Sequence, residues 1–145
     1  MPSYEEKMEV QDGGLKGVQM DARSYAKIVG VVVLLVGVVG LIMGDPEDGL
    51  LGFNIDLTED IVHLATGGLL AYVGFSGGDA QAKQIVMVIG VVYLAVGVLG
   101  FVLPGLFGLL PTELAVQDNI LHLVLGVLGI FAARSGGAGT GAATT

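Results

Sequence analysis

His63 and His122 are the only imidazoles in the chain, and each sits in nearly the same local text, E-D-I-V-H-L-A-T-G and D-N-I-L-H-L-V-L-G. An imidazole in an apolar segment can bond neighbouring helices, ligate a metal or haem iron, or take up a proton. Residue type alone leaves all three readings open. Asp60 and Asn119 stand three positions earlier on the same helical face, where they could orient the rings. A haem would take one nitrogen from each histidine, although the chain carries no C-x-x-C-H attachment sequence. Zinc wants three or four ligands, so two histidines would need Glu59, Asp60 or Asp118 beside them. With no cysteine, disulfides and thiolate chemistry are excluded. No paired nucleophile and base, phosphate loop or basic stripe is visible, so neither enzymatic activity nor a nucleic-acid partner is expected.

The elements that must carry the histidines are written twice. Gly30, Gly37 and Gly40 in I-V-G-V-V-V-L-L-V-G-V-V-G-L return as Gly90, Gly97 and Gly100 in V-I-G-V-V-Y-L-A-V-G-V-L-G-F. The unit reads as a tandem duplication: a glycine-faced apolar segment, a loop, then a histidine near the start of a second apolar segment. Glycines at i, i+7 and i+10 share one helical face, and small residues let helix backbones approach closely in lipid. His63, Gly67 and Gly74 make a matching stripe, as do His122, Gly126, Gly129 and Ala133. The sequence therefore assigns helix packing to Gly30, Gly37, Gly40, Gly67, Gly90, Gly97, Gly100 and Gly126. The alternative use of these faces is room for a flat cofactor.

Composition says where these helices reside. Hydrophobic residues make up 53% of the chain and charged residues 14%, against about 25% charged in soluble domains. Mean hydropathy is +0.81. A spanning helix needs about 20 mostly apolar residues. Uncharged runs near that length extend over Ile28 to Gly44, Ile61 to Gly78 and Gln84 to Leu103, the last ended by Pro104. A shorter run, Asn119 to Ala133, requires a thinned bilayer or an earlier helix start. The polar segment ahead of Ile28 has no signal-peptide pattern, so the first span is read as a retained anchor.

The six basic residues, Lys7, Lys16, Arg23, Lys27, Lys83 and Arg134, fall in the N-terminal, middle and C-terminal segments. Four spans put those segments on one side, so both termini are expected in the cytoplasm, with the protein in the cell (plasma or inner) membrane. The net charge of -8 concentrates outside, in loops holding Asp45, Glu47, Asp48, Asp56, Glu59 and Asp60, then Glu113 and Asp118. That anionic face concentrates cations or simply keeps an apolar protein solvated.

Along the chain the reading is a flexible tail over 1–24, repeat one over 25–78, repeat two over 79–134, and a flexible Gly/Ala/Ser/Thr end over 135–145. Asp45-Pro46-Glu47-Asp48-Gly49 is turn chemistry. Leu50-Leu51-Gly52-Phe53 and Leu106-Phe107-Gly108-Leu109-Leu110 are apolar loop patches expected to dip into the interface or cover the bundle top. Asp56 and Glu59 suggest a capping box. The expected fold is an all-α, four-transmembrane-helix bundle of two tandem hairpin repeats related by a pseudo-two-fold along the membrane normal.

The pattern V-G-V-V-x-L-x-V-G-V-x-G, then L-L-G-F-N, then D-N-I-L-H-L-V-L-G resembles a family of small four-helix membrane proteins of bacteria and archaea, catalogued as a domain of unknown function. The resemblance spans Tyr25 to Arg134. Family members often read H-N-x-x-H at the start of the second helix. Here Glu59 and Asp118 occupy the slots of the first histidine, and Asp60 replaces asparagine in unit one. The resemblance implies four helices and an inner-membrane location, with no particular chemistry.

The leading expectation is a non-enzymatic structural or accessory membrane protein without a cofactor. Its partners would be the lipid bilayer, further copies of itself or a larger membrane complex. The rival is a protein holding haem or a divalent metal through His63 and His122. A proton or solute channel would need polar groups through the membrane middle, where Thr66 is almost alone.

Overall fold

The computed structural model describes residues 20–44, 51–53, 55–103, 105–108 and 113–135. Among the described residues the fold is all-α, with four helices: α1 (Ala22–Met43), α2 (Leu57–Phe75), α3 (Asp79–Val102) and α4 (Val116–Arg134). A single 3-10 turn, Leu106–Gly108, lies between α3 and α4. Helices α1, α3 and α4 are long and apolar enough to cross a membrane, with mean hydropathy of 2.7, 2.8 and 1.6 over their most apolar stretches. Helix α2 matches α4 at 19 residues but carries both Glu59 and Asp60 in its first turn.

Every helix begins before the uncharged run that announced it. Helix α1 starts at Ala22 because Asp21 accepts a 2.7 Å hydrogen bond from the Ser24 N–H, filling one orphan donor of the first turn. It thereby takes in residues 22–24 of the expected tail. Helix α2 starts at Leu57 for the same reason, with the Asp56 carboxylate accepting from the Glu59 N–H at 2.9 Å. The short fourth run is resolved by an earlier start at Val116, not by a short helix. Helix α3 ends at Val102, two residues ahead of Pro104. The expected turn over 45–49, the tail over 1–19, the end over 136–145 and loop residues 50, 54, 104 and 109–112 lie outside the described residues.

The helices pack as two antiparallel hairpins, α1 on α2 and α3 on α4. A Cβ built at Gly67 would come 2.5 Å from the Leu34 nitrogen, and one at Gly126 2.5 Å from the Leu94 nitrogen. Such approaches are open only to glycine, and they let dispersion hold helices together in lipid. The hairpins meet through α1 with α3, α2 with α3 and α1 with α4, whereas the backbones of α2 and α4 do not approach. Tyr25, Ala26, Val33, Leu70, Val73, Val86, Tyr93 and Ala132 form the shared core. Outside it, the helices expose Val, Leu, Ile and Phe along their whole length, Ile42 at 79% and Val102 at 72% being extreme. An apolar surface of that extent marks contact with lipid.

Candidate functional site

His63 stands six residues after Leu57 and His122 six after Val116, so each lies just under two turns into its helix. Both helices start at the same end of the bundle, and the two rings meet there across the gap between α2 and α4. Their centroids are 6.3 Å apart and their planes 16° from parallel. The sequence placed both histidines at one depth, and the structure brings them together.

The rings are held differently. The Nδ1–H of His122 donates to the Asp118 carbonyl of its own helix at 2.7 Å, because a carbonyl can only accept. That bond leaves Nε2 as the free lone pair of the neutral ring. The Nδ1 of His63 is buried and has no hydrogen-bond partner. Asn119, expected to orient His122, does not do so: its Oδ1 is buried without a partner and lies against Gly100. The Asp60 carboxylate likewise lies against Gly40.

Tyr93 completes the wall of the site. Its ring meets His122 edge-on at 5.3 Å and 86°. The Thr66 hydroxyl donates to the Val62 carbonyl at 2.8 Å, so Tyr93 O–H is left to donate to Thr66 Oγ1 at 3.1 Å. The sequence reading gave Tyr93 no role, although a signal was present. When the segments around Gly30 and Gly90 and around His63 and His122 are laid side by side, Tyr93 stands opposite Val33 and Thr66 opposite Leu125. Tyr25 stands opposite Ile85, and its hydroxyl donates to the Leu125 carbonyl at 2.8 Å. The Tyr93–Thr66 and Tyr25–Leu125 bonds each join one hairpin to the other.

The packing glycines sit where the sequence put them. A Cβ at Gly30 would strike the Ala71 nitrogen, and one at Gly37 would lie 2.9 Å from the Asp60 carbonyl oxygen. In the second hairpin Gly97 faces the Asn119 carbonyl oxygen at 2.8 Å, and Gly90 faces the Ile130 nitrogen at 3.0 Å. These faces lie against the backbone of the partner helix.

Asp56, Glu59, Asp60 and Asp118 are all buried at the histidine end. Ala115 has no side-chain acceptor, so only the return half of a capping box forms at α4: the Ala115 N–H donates to Asp118 Oδ2 at 3.1 Å. At this end Leu51 and Phe107 are exposed at 88% and 79%. Both adopt left-handed backbone, φ 54° and 62°, which is uncommon for bulky side chains. At the opposite end an exposed ion pair joins Arg23 to Asp79 at 3.3 Å and contributes little.

Lipid-facing helices, glycine-mediated hairpins and an interior histidine pair define a small helical membrane protein. Over residues 23–134 the chain matches the family described as Domain of unknown function (DUF4383). It belongs to that family. No curated protein and no solved structure matches it.

Proposed function

We propose that this chain is a non-enzymatic, structural or accessory component of the plasma membrane, in which all four helices span the bilayer and both termini are cytoplasmic. One observation carries the reading: the Tyr25 and Tyr93 hydroxyls inside the bundle are committed to bonds that hold helices to one another, to the Leu125 carbonyl and to Thr66. Their positions join two hairpins that the repeat would relate by a pseudo-two-fold along the membrane normal. Acidic loops face outward in this arrangement, and the exposed apolar girdle is shared between lipid, further copies and a larger complex.

The absence of cysteine makes the test direct. In intact cells Glu113→Cys should react with a membrane-impermeant maleimide, while Ser76→Cys should react only after lysis. The opposite pattern would invert the topology. Native mass spectrometry of the protein extracted with its lipids should show additional copies or companion subunits, and a bare monomer that turns over a substrate would end the accessory reading.

A second reading is favoured by the 6.3 Å approach of the two imidazoles. In it His63 and His122 ligate a haem iron or a metal cation.

A further inference from the structure

We propose that the two loops at the histidine end anchor the protein in the bilayer interface, with the Leu51 and Phe107 side chains inserted where headgroups meet acyl chains. This inference rests on the reading that all four helices span the bilayer, and it adds the lipid contact that fixes their depth. Leu51 and Phe107 hold φ of 54° and 62°, and each precedes a glycine of positive φ, Gly52 at 84° and Gly108 at 79°. Both pairs stand ahead of the second helix of their hairpin. A bulky side chain in that conformation is sterically costly, whereas glycine adopts it without strain. With exposures of 88% and 79%, Leu51 and Phe107 offset little of the cost by packing inside the protein. Withdrawing a Leu or Phe side chain from water does offset it, so the contact that holds these two residues lies outside the bundle.

Position selects lipid as that contact. Helices α2 and α4 hold 19 residues each, a length of about 28 Å at 1.5 Å per residue, against a hydrocarbon core of about 30 Å. Their outward faces are apolar from the first turn, with Leu57, Ile61, Val116 and Ile120 all more than half exposed. The edge of the hydrocarbon therefore falls at or just beyond the helix starts, at the level of the loops. On the neighbouring helices the same girdle runs to Ile42 and Val102, in the last turns of α1 and α3. The Leu51 loop also reaches the second hairpin at this level, since a Cβ at Gly52 would lie 3.0 Å from the Gln117 side chain. Loop residues 51–53 and 105–108 are only Gly, Leu and Phe, so they carry no charge into the interface with them.

The two ends of the bundle differ in what else could hold them at a fixed depth. Interfacial Trp, Tyr, Lys and Arg ordinarily set the depth of a span. At the end opposite the histidines Arg23, Lys27, Lys83 and Arg134 are available, and the Lys27 ammonium lies 5.8 Å from the centre of the Phe75 ring. The chain has no Trp, and no basic residue occurs between Lys27 and Lys83 or between Lys83 and Arg134. The histidine end thus has neither a basic nor an indole anchor. Apolar insertion from one loop of each hairpin supplies its hold on the leaflet.

The absence of tryptophan makes the test clean. Leu51→Trp and Phe107→Trp each give the full chain a single indole, read in nanodiscs of phosphatidylcholine brominated either near the top of the acyl chain or near its methyl end. Val127→Trp, at a lipid-facing position of α4 that is 56% exposed, is the reference for deep lipid contact. Circular dichroism checks that each variant keeps the helicity of the parent. The expected result is blue-shifted emission from both loop indoles, little loss with aqueous iodide, and a greater loss with the shallow bromines than with the deep ones. The order of the two bromine sets should reverse for Val127→Trp. Red emission quenched by iodide from either loop indole overturns the inference, because that loop then sits in water. Blue emission quenched by neither iodide nor bromine also overturns it, because the side chain then packs on a second copy or a companion protein. In both cases bromine quenching of Val127→Trp leaves the four-span reading standing. If Val127→Trp also escapes the bromines, both readings fall.

Discussion

In the first hairpin Gly40 rests against the Asp60 carboxylate; in the second, Gly100 rests against the Asn119 amide. In the first, Asp21 and Asp56 cap both helices, whereas Gly78 and Ala115 begin the helices of the second with no side-chain cap bond. The glycine contacts recur in both hairpins. The Asp21 cap is exposed, where water can replace a lost acceptor, so that helix start tolerates its absence. Backbone contact inside lipid has no such substitute. Where the hairpins differ in their interiors, at Tyr25, Thr66 and Tyr93, the difference is used to bind one hairpin to the other.

The comparison breaks most severely at Asn119. It is 2% exposed and its Oδ1 has no partner, so Asn119→Asp would bury an uncompensated charge and should cost about 3–5 kcal/mol of stability. Unfolding in mixed detergent measures this, and a variant as stable as the parent would show that the two hairpin ends are interchangeable. The reverse exchange, Asp60→Asn, should cost less, because an amide already fits the same kind of glycine contact in the second hairpin.

The glycine faces come next. Gly30→Ala drives a methyl into the Ala71 backbone and should cost about 2 kcal/mol by overpacking. Gly90→Ala meets its nearest neighbour at 3.0 Å and gains helix propensity, so its loss should stay below about 1 kcal/mol. Equal losses in the same detergent titration would mean that the second hairpin is packed as tightly as the first.

Removing the Tyr93 hydroxyl is a smaller change. Tyr93→Phe should cost about 0.6 kcal/mol, the usual worth of an interhelical hydrogen bond in a bilayer. A double-mutant cycle with Thr66→Val should recover that value as coupling. Zero coupling would remove this bond from the connection between the hairpins.

The caps give the smallest effect. Asp21→Ala should cost at most about 1 kcal/mol. The hydrogen bond from the Ser24 N–H holds the Asp21 carboxyl below its ordinary value of 3.8. A lowered carboxyl stabilises the fold above the unfolded value and loses that contribution as pH falls through the folded one. The difference between parent and variant should therefore be full at pH 6 to 7 and close on acidification below 3.8. Gly78→Asp supplies the missing cap in the second hairpin and should add a few tenths of a kcal/mol.

Much of this was legible in the sequence. Spacing at i, i+7 and i+10 put Gly30, Gly37 and Gly40 on one face, and that face meets α2. The repeated position of His63 and His122 placed both rings at one depth. The roles of Tyr93 and Thr66 were not legible as a pair. Each shows as a difference when the two segments are laid side by side, but only proximity across the bundle reveals that one difference answers the other. Helix starts were displaced because charge marks the edge of hydrocarbon, whereas a helix continues beyond it until its backbone donors are capped.

By itself the sequence determined the number of helices, the lipid-facing character of the chain and the small-residue faces, because helical periodicity and hydropathy are local properties. The tertiary structure decided that α2 and α4 stay apart while their histidines reach across, and that His122 bonds its own helix while the His63 Nδ1 is left open. Which faces oppose one another depends on how all four helices rotate to fill space together. That balance is a property of the whole bundle, and no segment carries it alone.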